Sequence, residues 1–299
     1  MAILAGVTLL WAFSFSLIGV YISGQVDSTF AVLTRITLAL MVFAPMMRFR
    51  GLDWRLAAGL MAVGAVELGL MYVFFYQSFL WLSVPEVLLF TILTPVYIAL
   101  LDDGLARRFN PRFLFVALGA VAGAAVIRYQ PVSADYWRGF LIVQGANLCF
   151  AAGQVAYRRL APGLPADVPL YALFGWFFAG AWPLALLLFF WLGDAGQLPS
   201  SATQWGVLAW LGLGASGLGY YAWNHGAARV DPGTLAVMNN ALIPAGLAVN
   251  LLIWNRDADV VRLVAGAAII ALALLVNTLW ARRGATQDAR EAAASSTSS

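Results

Sequence analysis

The sequence has few charged residues, no lysine, one cysteine and one histidine. Charged residues make up 10% of the 299 positions and hydrophobic residues 62%, whereas roughly a quarter of the residues in a soluble domain are charged. A soluble protein of this size could not cover its surface with so few charges. The composition therefore indicates an integral membrane protein, with the lipid bilayer as part of its solvent.

The same scarcity excludes several classes of function. The single cysteine, Cys149, allows no internal disulfide and no thiolate metal cluster. The sequence contains no HExxH, GxSxG or P-loop motif, and one histidine gives little material for metal- or histidine-dependent catalysis. We therefore predict that the protein is not an enzyme and binds no metal or cofactor. Its arginines are dispersed between apolar runs, so no nucleic-acid partner is expected.

Apolar runs of about 20 residues, the length of a helix that spans a bilayer, recur along the chain. The first run lacks a basic start and a small-residue cleavage site, so we expect an uncleaved span rather than a signal peptide. We predict ten membrane-spanning helices, at 2–22, 29–47, 56–81, 85–101, 112–128, 138–158, 169–192, 204–226, 233–254 and 261–281.

The arginines orient these spans, because basic residues concentrate in cytoplasmic loops. Arg128, Arg138, Arg256 and Arg262 fall on one side, Arg35 lies inside the second span, and the other twelve arginines fall on the opposite side. Both termini are therefore predicted to be cytoplasmic.

A dinucleotide-binding pattern, GxGxxG, occurs from Gly212 to Gly217. That pattern needs a preceding strand, but here it lies within an uncharged apolar run. We predict instead a helix face of small residues, Gly212 with Ser216 and Ala215 with Gly219, against which another helix packs.

The two halves of the chain share a spacing. Tyr72 precedes Pro95 by 23 residues, and Tyr221 precedes Pro244 by the same 23, at an offset of 149. Internal repeats are typical of transporters. If each half holds five spans, the second half has the inverted orientation in the membrane.

Two stretches of the sequence resemble a known family. "LTRITLAL" (33–40) and "YYAWNHGAARVDPGTLAVMNNALIP" (220–244) resemble the EamA-type drug/metabolite transporter superfamily, and the "YAWN" tract resembles its bacterial amino-acid exporter branch. The resemblance implies an all-α integral protein of the bacterial plasma (inner) membrane. It implies ten transmembrane helices as two inverted five-helix repeats, 1–131 and 132–283, around a central cavity. A disordered cytoplasmic tail would follow at 284–299.

Two pairs of side chains would face this cavity. Tyr72 and Tyr76, and likewise Tyr221 and His225, are four residues apart, so each pair lies on one helix face. Such rings can bind an apolar or cationic substrate by stacking, cation–π contact and hydrogen bonds; an aromatic belt at the membrane interface is the alternative. The other cavity candidates near these faces are Gln77, Tyr97 and Asn224.

Amides in the sixth run supply further candidates. Gln144, Asn147 and Gln154 lie on one face of a helix. They either line a polar path or join packed helices by hydrogen bonds.

Prolines mark the fourth and ninth runs. Pro95 and Pro244 free the carbonyl groups of Thr91 and Asn240, and Asn239 is adjacent. These groups either bind ligand and act as hinges, or form kinks that neighbouring helices satisfy.

Three charged residues lie within or at the edge of the spans: Arg35, Glu67 and Glu86. A charge in lipid needs a partner or a cavity, so Arg35 either pairs with one of the glutamates or receives a substrate carboxylate. Glu67 and His225 are candidates for carrying a proton, although a hydrogen-bonded structural histidine is the alternative for His225.

These features predict a secondary transporter or facilitator of small molecules. The resemblance implies export of amino acids, related metabolites or organic cations by alternating access. Antiport of nucleotide sugars or phosphate esters is the alternative within the superfamily, but such substrates demand several basic residues at cavity depth, where this chain offers Arg35. An integral membrane enzyme is a further alternative.

Overall fold

A computed structural model describes residues 2–105, 107, 122, 134–165, 168–227, 229 and 232–254, with scattered positions between 261 and 279. Within these ranges the side chains of 95, 99, 134, 227 and 232–240 are not described.

Every regular element in the described part of the chain is helical. The α-helices are α1 (Ala2–Leu17), α2 (Ser28–Phe43), α3 (Trp54–Gly64), α4 (Met71–Ser78), α5 (Val84–Phe90), α6 (Thr94–Leu105), α7 (Ala134–Leu160), α8 (Leu170–Leu192), α9 (Ala202–Ala209), α10 (Gly219–Ala227) and α11 (Pro232–Trp254). π-Helical segments lie at Ile18–Ile22, Ala65–Leu70 and Trp210–Leu218, and 3₁₀ turns at Ala44–Met46, Thr91–Leu93 and Ala161–Gly163.

Six helical segments among the described residues are long and apolar enough to cross a membrane. They are Ala2–Ile22, Ser28–Met46, Trp54–Ser78, Val84–Leu105, Asp135–Gly163 and Leu170–Leu192. These segments match the first four predicted spans, the sixth and the seventh, and they indicate an integral membrane protein that is helical in its described part. The predicted fifth span, 112–128, and tenth span, 261–281, lie outside the described residues except at scattered positions.

The remaining two predicted spans are helical as well. The eighth is formed by α9, the π-helical segment Trp210–Leu218 and α10 in succession, and the ninth by α11.

Polar residues cap the helices where they begin. The carboxylate of Asp27 accepts a 2.8 Å hydrogen bond from the Phe30 backbone N–H at the start of α2, and Ser201 with Gln204 forms a reciprocal capping box at the start of α9. Such caps satisfy backbone N–H groups that have no partner within the helix.

Glycines bring α3 and α8 into backbone contact. A Cβ atom built on Gly64 would lie 1.9 Å from the carbonyl oxygen of Phe177, and one on Gly180 would lie 1.9 Å from that of Met61. Small residues at such positions let helices in lipid approach closely. The two helices are therefore joined at two positions that admit only glycine.

The GxGxxG stretch is also a packing face. Gly212 lies in the π-helical segment, and a Cβ atom there would lie 2.7 Å from the Leu38 side chain of α2. The indole N–H of Trp11 donates a 2.9 Å hydrogen bond to the Ala215 carbonyl. The segment thus packs between α1 and α2 as a helix, as predicted.

The connections between helices meet in pairs. The backbone N–H of Asp27, between α1 and α2, donates a 2.7 Å hydrogen bond to the carbonyl of Gln197, between α8 and α9. Met47, which follows α2, lies against Gly175 near the start of α8, and the Trp176 indole donates to the Arg48 carbonyl at 3.3 Å.

The chain divides into two compact units. The first comprises 1–101 and 132–258, and the second comprises 102–131 and 259–299. All the residues of the cavity described below belong to the first unit.

Candidate functional site

A cavity lies among α1, α2, α4, the Thr91–Leu93 turn with α6, α7, α10 and α11. It contains about 770 Å³ of space free of protein atoms, a volume that includes solvent at its open side. Its apolar lining consists of Trp11, Phe15, Ile18, Met71, Phe75, Ala146, Phe150, Leu242 and Ile243. Its polar lining consists of Ser14, Arg35, Tyr72, Thr91, Thr94, Asn147 and Tyr220. Of the predicted site residues, the structure brings Arg35, Tyr72, Thr91 and Asn147 together in this lining.

Arg35 is the cation of the cavity, and it is held by aromatic and hydroxyl groups. Its guanidinium carbon lies 4.1 Å from the centre of the Tyr72 ring, and its Nε donates to the hydroxyl of Ser216. The hydroxyls of Tyr72 and Ser216 are 2.8 Å apart, and the Tyr220 ring meets the Tyr72 ring edge-on. These four residues form the Arg35 group.

Arg35 is buried without an acidic partner among the described residues. The side chain is 4% exposed, its Nη1 atom makes no hydrogen bond of normal geometry to those residues, and Tyr76 lies beside the guanidinium. A buried cation without a counter-charge is costly unless a ligand supplies the charge. Of the two alternatives for Arg35, the ion pair has no support among the described contacts, since Glu67 accepts from Gln154 and Glu86 from Ser83.

Glu67 instead pairs with an amide. It is 3% exposed in the π-helical segment Ala65–Leu70, and its Oε1 accepts a 2.5 Å hydrogen bond from Gln154 of α7. A Cβ atom on Gly153 would lie 2.3 Å from the Glu67 side chain, so glycine is what lets this carboxyl reach α7. Neither residue lines the cavity.

Glu86 has a structural role at the start of α5. It accepts a 2.8 Å hydrogen bond from the backbone N–H of Ser83 and a 2.9 Å hydrogen bond from the Ser83 hydroxyl. This capping box fixes the beginning of the fourth span.

A second polar group lies on other helices of the cavity. The Asn147 amide nitrogen donates to the Phe90 carbonyl at 2.8 Å and to the Gln144 side-chain oxygen at 3.0 Å. The Asn147 oxygen accepts a 3.2 Å hydrogen bond from Thr94, and the Thr91 hydroxyl donates to the Leu88 carbonyl at 2.6 Å. We call Thr91, Thr94 and Asn147 the Asn147 group.

Tyr221 and His225 lie together but outside the cavity lining. Their rings stack with centroids 5.7 Å apart, Tyr221 packs on Phe43 and Phe174, and His225 hydrogen-bonds to Arg229. It is the neighbouring Tyr220 that lines the cavity. The π-helical segment before it holds nine residues, against six before Tyr72, and the wider π turns rotate the side chains that follow.

The other predicted cavity residues have local partners. Tyr76 is buried beside Arg35, Gln77 donates a 2.8 Å hydrogen bond to Ser28, and Asn224 donates to the Tyr220 carbonyl at 3.0 Å. Tyr97 is half-buried in α6. The side chains of Asn239 and Asn240 lie outside the described residues.

The two prolines stand in different surroundings. Pro95 is the second residue of α6, and Thr94 separates it from the 3₁₀ turn Thr91–Leu93. In the first turn of a helix the missing N–H of a proline costs little. Pro244 lies inside α11, which continues through it. The break in the fourth span thus precedes its proline.

Several lining residues escaped the sequence reasoning: Trp11, Phe15, Phe75, Thr94, Phe150 and Tyr220. Most are aromatic, and one aromatic residue in an apolar run is not distinguished from its neighbours by periodicity. Thr94 could have been predicted, because it is a polar residue in an apolar run, one helical turn after Thr91 and next to Pro95. No cluster of three His, Cys, Asp or Glu side chains suited to a metal occurs in the described chain.

Comparisons with known proteins identify the family. A protein of Pseudomonas aeruginosa named "Probable biotin transporter" is 55% identical over 92% of this chain and 96% of its own length. A protein of Escherichia coli K12 named "Biotin transporter" is 46% identical over 97% of this chain and 96% of its own. The chain belongs to the biotin transporter family. Because these relatives are named as transporters, the prediction that the chain is not an enzyme is confirmed.

Other comparisons are weaker. No protein-family model matches the chain. One solved crystal structure covers 94% of this chain and 98% of its own, with a TM-score of 0.64 and 23% identity, which shows a shared fold alone. An aromatic amino acid exporter, YddG, of Ancylobacter novellus is 29% identical over 71% of this chain.

The prediction of an EamA-type amino-acid exporter was wrong. Biotin transporters match at 46–55% identity over nearly the full length, whereas the exporter matches at 29%. The quoted motifs misled because "LTRITLAL" and "YAWN" lie on α2 and α10, where Leu38 packs on Gly212 and Trp223 packs on Trp11. Such contacts between helices preserve a fold and do not identify a ligand.

The substrates predicted from that resemblance, amino acids and organic cations, are corrected with it. An organic cation also fits the geometry poorly, because the cavity presents Arg35, and none of its described lining residues is acidic. What stands is a small-molecule transporter embedded in a membrane.

Proposed function

We propose that this chain takes up biotin across the bacterial inner membrane. The observation that carries the proposal is the buried Arg35, which has no acidic partner among the described residues, at a largely apolar cavity. Biotin has one carboxylate, an apolar chain and a compact bicyclic ring. A guanidinium removed from water binds such a carboxylate by charge-assisted hydrogen bonds, and the relatives named biotin transporters supply the identity of the acid.

The aromatic lining suits the rest of the molecule. Trp11, Phe15, Phe75 and Phe150 present rings to the cavity, and Phe15 packs edge-on against Phe75 with centroids 4.8 Å apart. Apolar ligand surface buried against such rings contributes most of the affinity in small-molecule sites, while a few polar groups fix orientation.

We propose that the complete fold has ten membrane spans in two inverted repeats, 1–131 and 132–283, with a cytoplasmic tail at 284–299. The third and eighth spans support the repeat, because each has a π-helical segment in its middle, followed by a cavity tyrosine, Tyr72 or Tyr220. The distribution of arginines supports cytoplasmic termini.

Alternating access of the two halves would move the substrate. The 3₁₀ turn before Pro95 and the proline inside α11, Pro244, are the proposed hinges. Thr91, within that turn, lines the cavity. A change in the backbone conformation of the turn would therefore move a side chain that contacts the ligand.

The remaining candidates are proposed to act around the cavity rather than in it. Tyr76, Gln77, Tyr97, Tyr221, Asn224 and His225 would stabilise the helices or enter the path in another conformation. Glu67, with Gln154, is the proposed proton site, because a carboxyl exchanges a proton and this one is buried within the membrane.

Growth of a bacterial strain that neither makes nor imports biotin tests the proposal. Expression of this chain should restore growth at low external biotin, and Arg35→Gln at equal membrane abundance should not. Thr8→Val is the matched control, because the buried Thr8 hydroxyl donates to the Leu4 carbonyl and lies outside the cavity lining. Growth that the intact chain does not restore would overturn the assignment.

A further inference from the structure

Four neutral side chains of the cavity, Ser14, Thr91, Thr94 and Asn147, share one property: their hydrogens are already donated to protein acceptors. Thr91 donates to Leu88, Thr94 to Asn147, and Ser14 to the Leu10 carbonyl at 2.8 Å. Both amide hydrogens of Asn147 are accounted for by Phe90 and Gln144.

These side chains therefore offer acceptors and no donors to a ligand. A hydroxyl that donates its hydrogen keeps lone pairs, and an amide oxygen has two lone pairs, of which Thr94 occupies one on Asn147. A ligand group that hydrogen-bonds to Thr91, Thr94 or Asn147 must therefore be the donor.

The Arg35 group has the opposite character. A guanidinium has donors and no acceptor, and Nη1 of Arg35 makes no hydrogen bond of normal geometry to the described residues. Arg35 belongs to α2 and is held by α4 and the π-helical segment, whereas the Asn147 group belongs to α7 and the Thr91–Thr94 region. The two groups are built on different helices and have no hydrogen bond to each other among those described.

From this division we infer that the cavity binds its substrate in one orientation, with a carboxylate on Arg35 and N–H donors on Thr91, Thr94 and Asn147. The inference rests on the proposed function and deepens it: biotin carries a carboxylate at one end and two ureido N–H groups at the other. The protein would thus select monocarboxylates whose opposite end donates neutral N–H groups, and Thr91 and Thr94 become specificity-determining residues.

Competition against labelled biotin uptake in whole cells tests both ends in the unaltered protein. Biotin methyl ester removes the charge from one end, and biotin methylated at a ureido nitrogen removes a donor from the other. We expect each to compete at least tenfold more weakly than biotin, the size expected when a buried polar group is left without its partner. An analogue with the ring sulfur replaced by oxygen keeps both ends and should compete nearly as well as biotin.

Variants then assign each end to its group. Thr91→Val and Thr94→Val keep the shape of the side chain and remove the acceptor, so they should reduce discrimination against the N-methyl analogue and leave discrimination against the ester unchanged. Arg35→Lys, which keeps a charge but not the two-pronged guanidinium, should reduce discrimination against the ester and leave discrimination against the N-methyl analogue unchanged. Thr8→Val, outside the cavity lining, should change neither ratio.

The outcomes separate this inference from the proposed function. If the unaltered protein takes up biotin but the N-methyl analogue competes as well as biotin, the orientation is overturned while biotin transport stands. If the threonine variants alter the ester ratio instead, the assignment of the ends is wrong. A protein that takes up no biotin contradicts the proposed function itself.

Discussion

The ring of Tyr72 and its hydroxyl make separate contributions to Arg35. The ring lies on the guanidinium and the hydroxyl reaches Ser216, which in turn accepts from Arg35. We expect Tyr72→Phe to raise the KM for biotin only a few-fold, and Tyr72→Leu to raise it roughly tenfold, because a desolvated cation–π contact contributes up to about 2 kcal/mol. Saturation curves of labelled biotin uptake measure this; equal effects of both substitutions would contradict it.

Glu67 provides a test of proton coupling. Glutamine at this position still accepts the hydrogen bond from Gln154 but cannot release a proton. We expect Glu67→Gln in proteoliposomes to keep the exchange of labelled for unlabelled biotin and to lose stimulation of uptake by an imposed pH gradient. Stimulation that persists in Glu67→Gln would remove this residue from the proton path.

Single residues also show which parts of the site could be predicted from the sequence. Arg35, Thr91 and Asn147 could be found because a polar residue in an apolar run needs a reason to be there. Tyr220 was missed in favour of Tyr221, since a repeat offset counts residues whereas the π-helical segment alters how they rotate. Trp11 and Phe15 carry no pattern that separates a cavity wall from a lipid-facing ring.

Among the helical elements, α3 and α8 give the sharpest prediction of stability. Gly64→Ala and Gly180→Ala each place a methyl group on the backbone of the other helix, so we expect each to cost about 1–3 kcal/mol, as overpacking does. Thermal melting of the purified protein in detergent should show lower transitions. Gly6→Ala is the control, because a Cβ atom there meets nothing within 4 Å. Unchanged melting of both packing variants would contradict this contact.

The helices themselves were predictable and their irregularities were not. Six spans follow from apolar length alone, because a bilayer imposes that length on any helix that crosses it. The π-helical segments and the 3₁₀ turn at Thr91–Leu93 depend on which side chains meet across helices, as where Gly212 meets Leu38. That information is not contained in the hydropathy of one segment.

For the whole molecule, the proposed topology predicts which loops face the cytoplasm. In a Cys149→Ser background, a cysteine introduced at Arg50 should react with a membrane-impermeant maleimide only in inside-out vesicles. A cysteine at Asp194, in the connection between α8 and α9 that meets the α1–α2 connection, should react only in intact cells. Labelling of both positions from one side would contradict the orientation.

The class of the molecule followed from its composition, but its substrate did not. Little charge and long apolar runs led directly to an integral membrane protein, while short motifs shared through helix packing led to the wrong substrate. The ligand is selected by a few side chains from distant parts of the sequence, such as Arg35 and Asn147, and their arrangement exists only in the fold.

Uptake of labelled biotin by purified protein in liposomes tests the central claim most directly. We predict saturable uptake that excess unlabelled biotin blocks, that excess phenylalanine leaves unchanged, and that is lost in Arg35→Gln but kept in Thr8→Val. Absence of uptake by the intact protein, or competition by phenylalanine as strong as that by biotin, would contradict the assignment of this cavity to biotin.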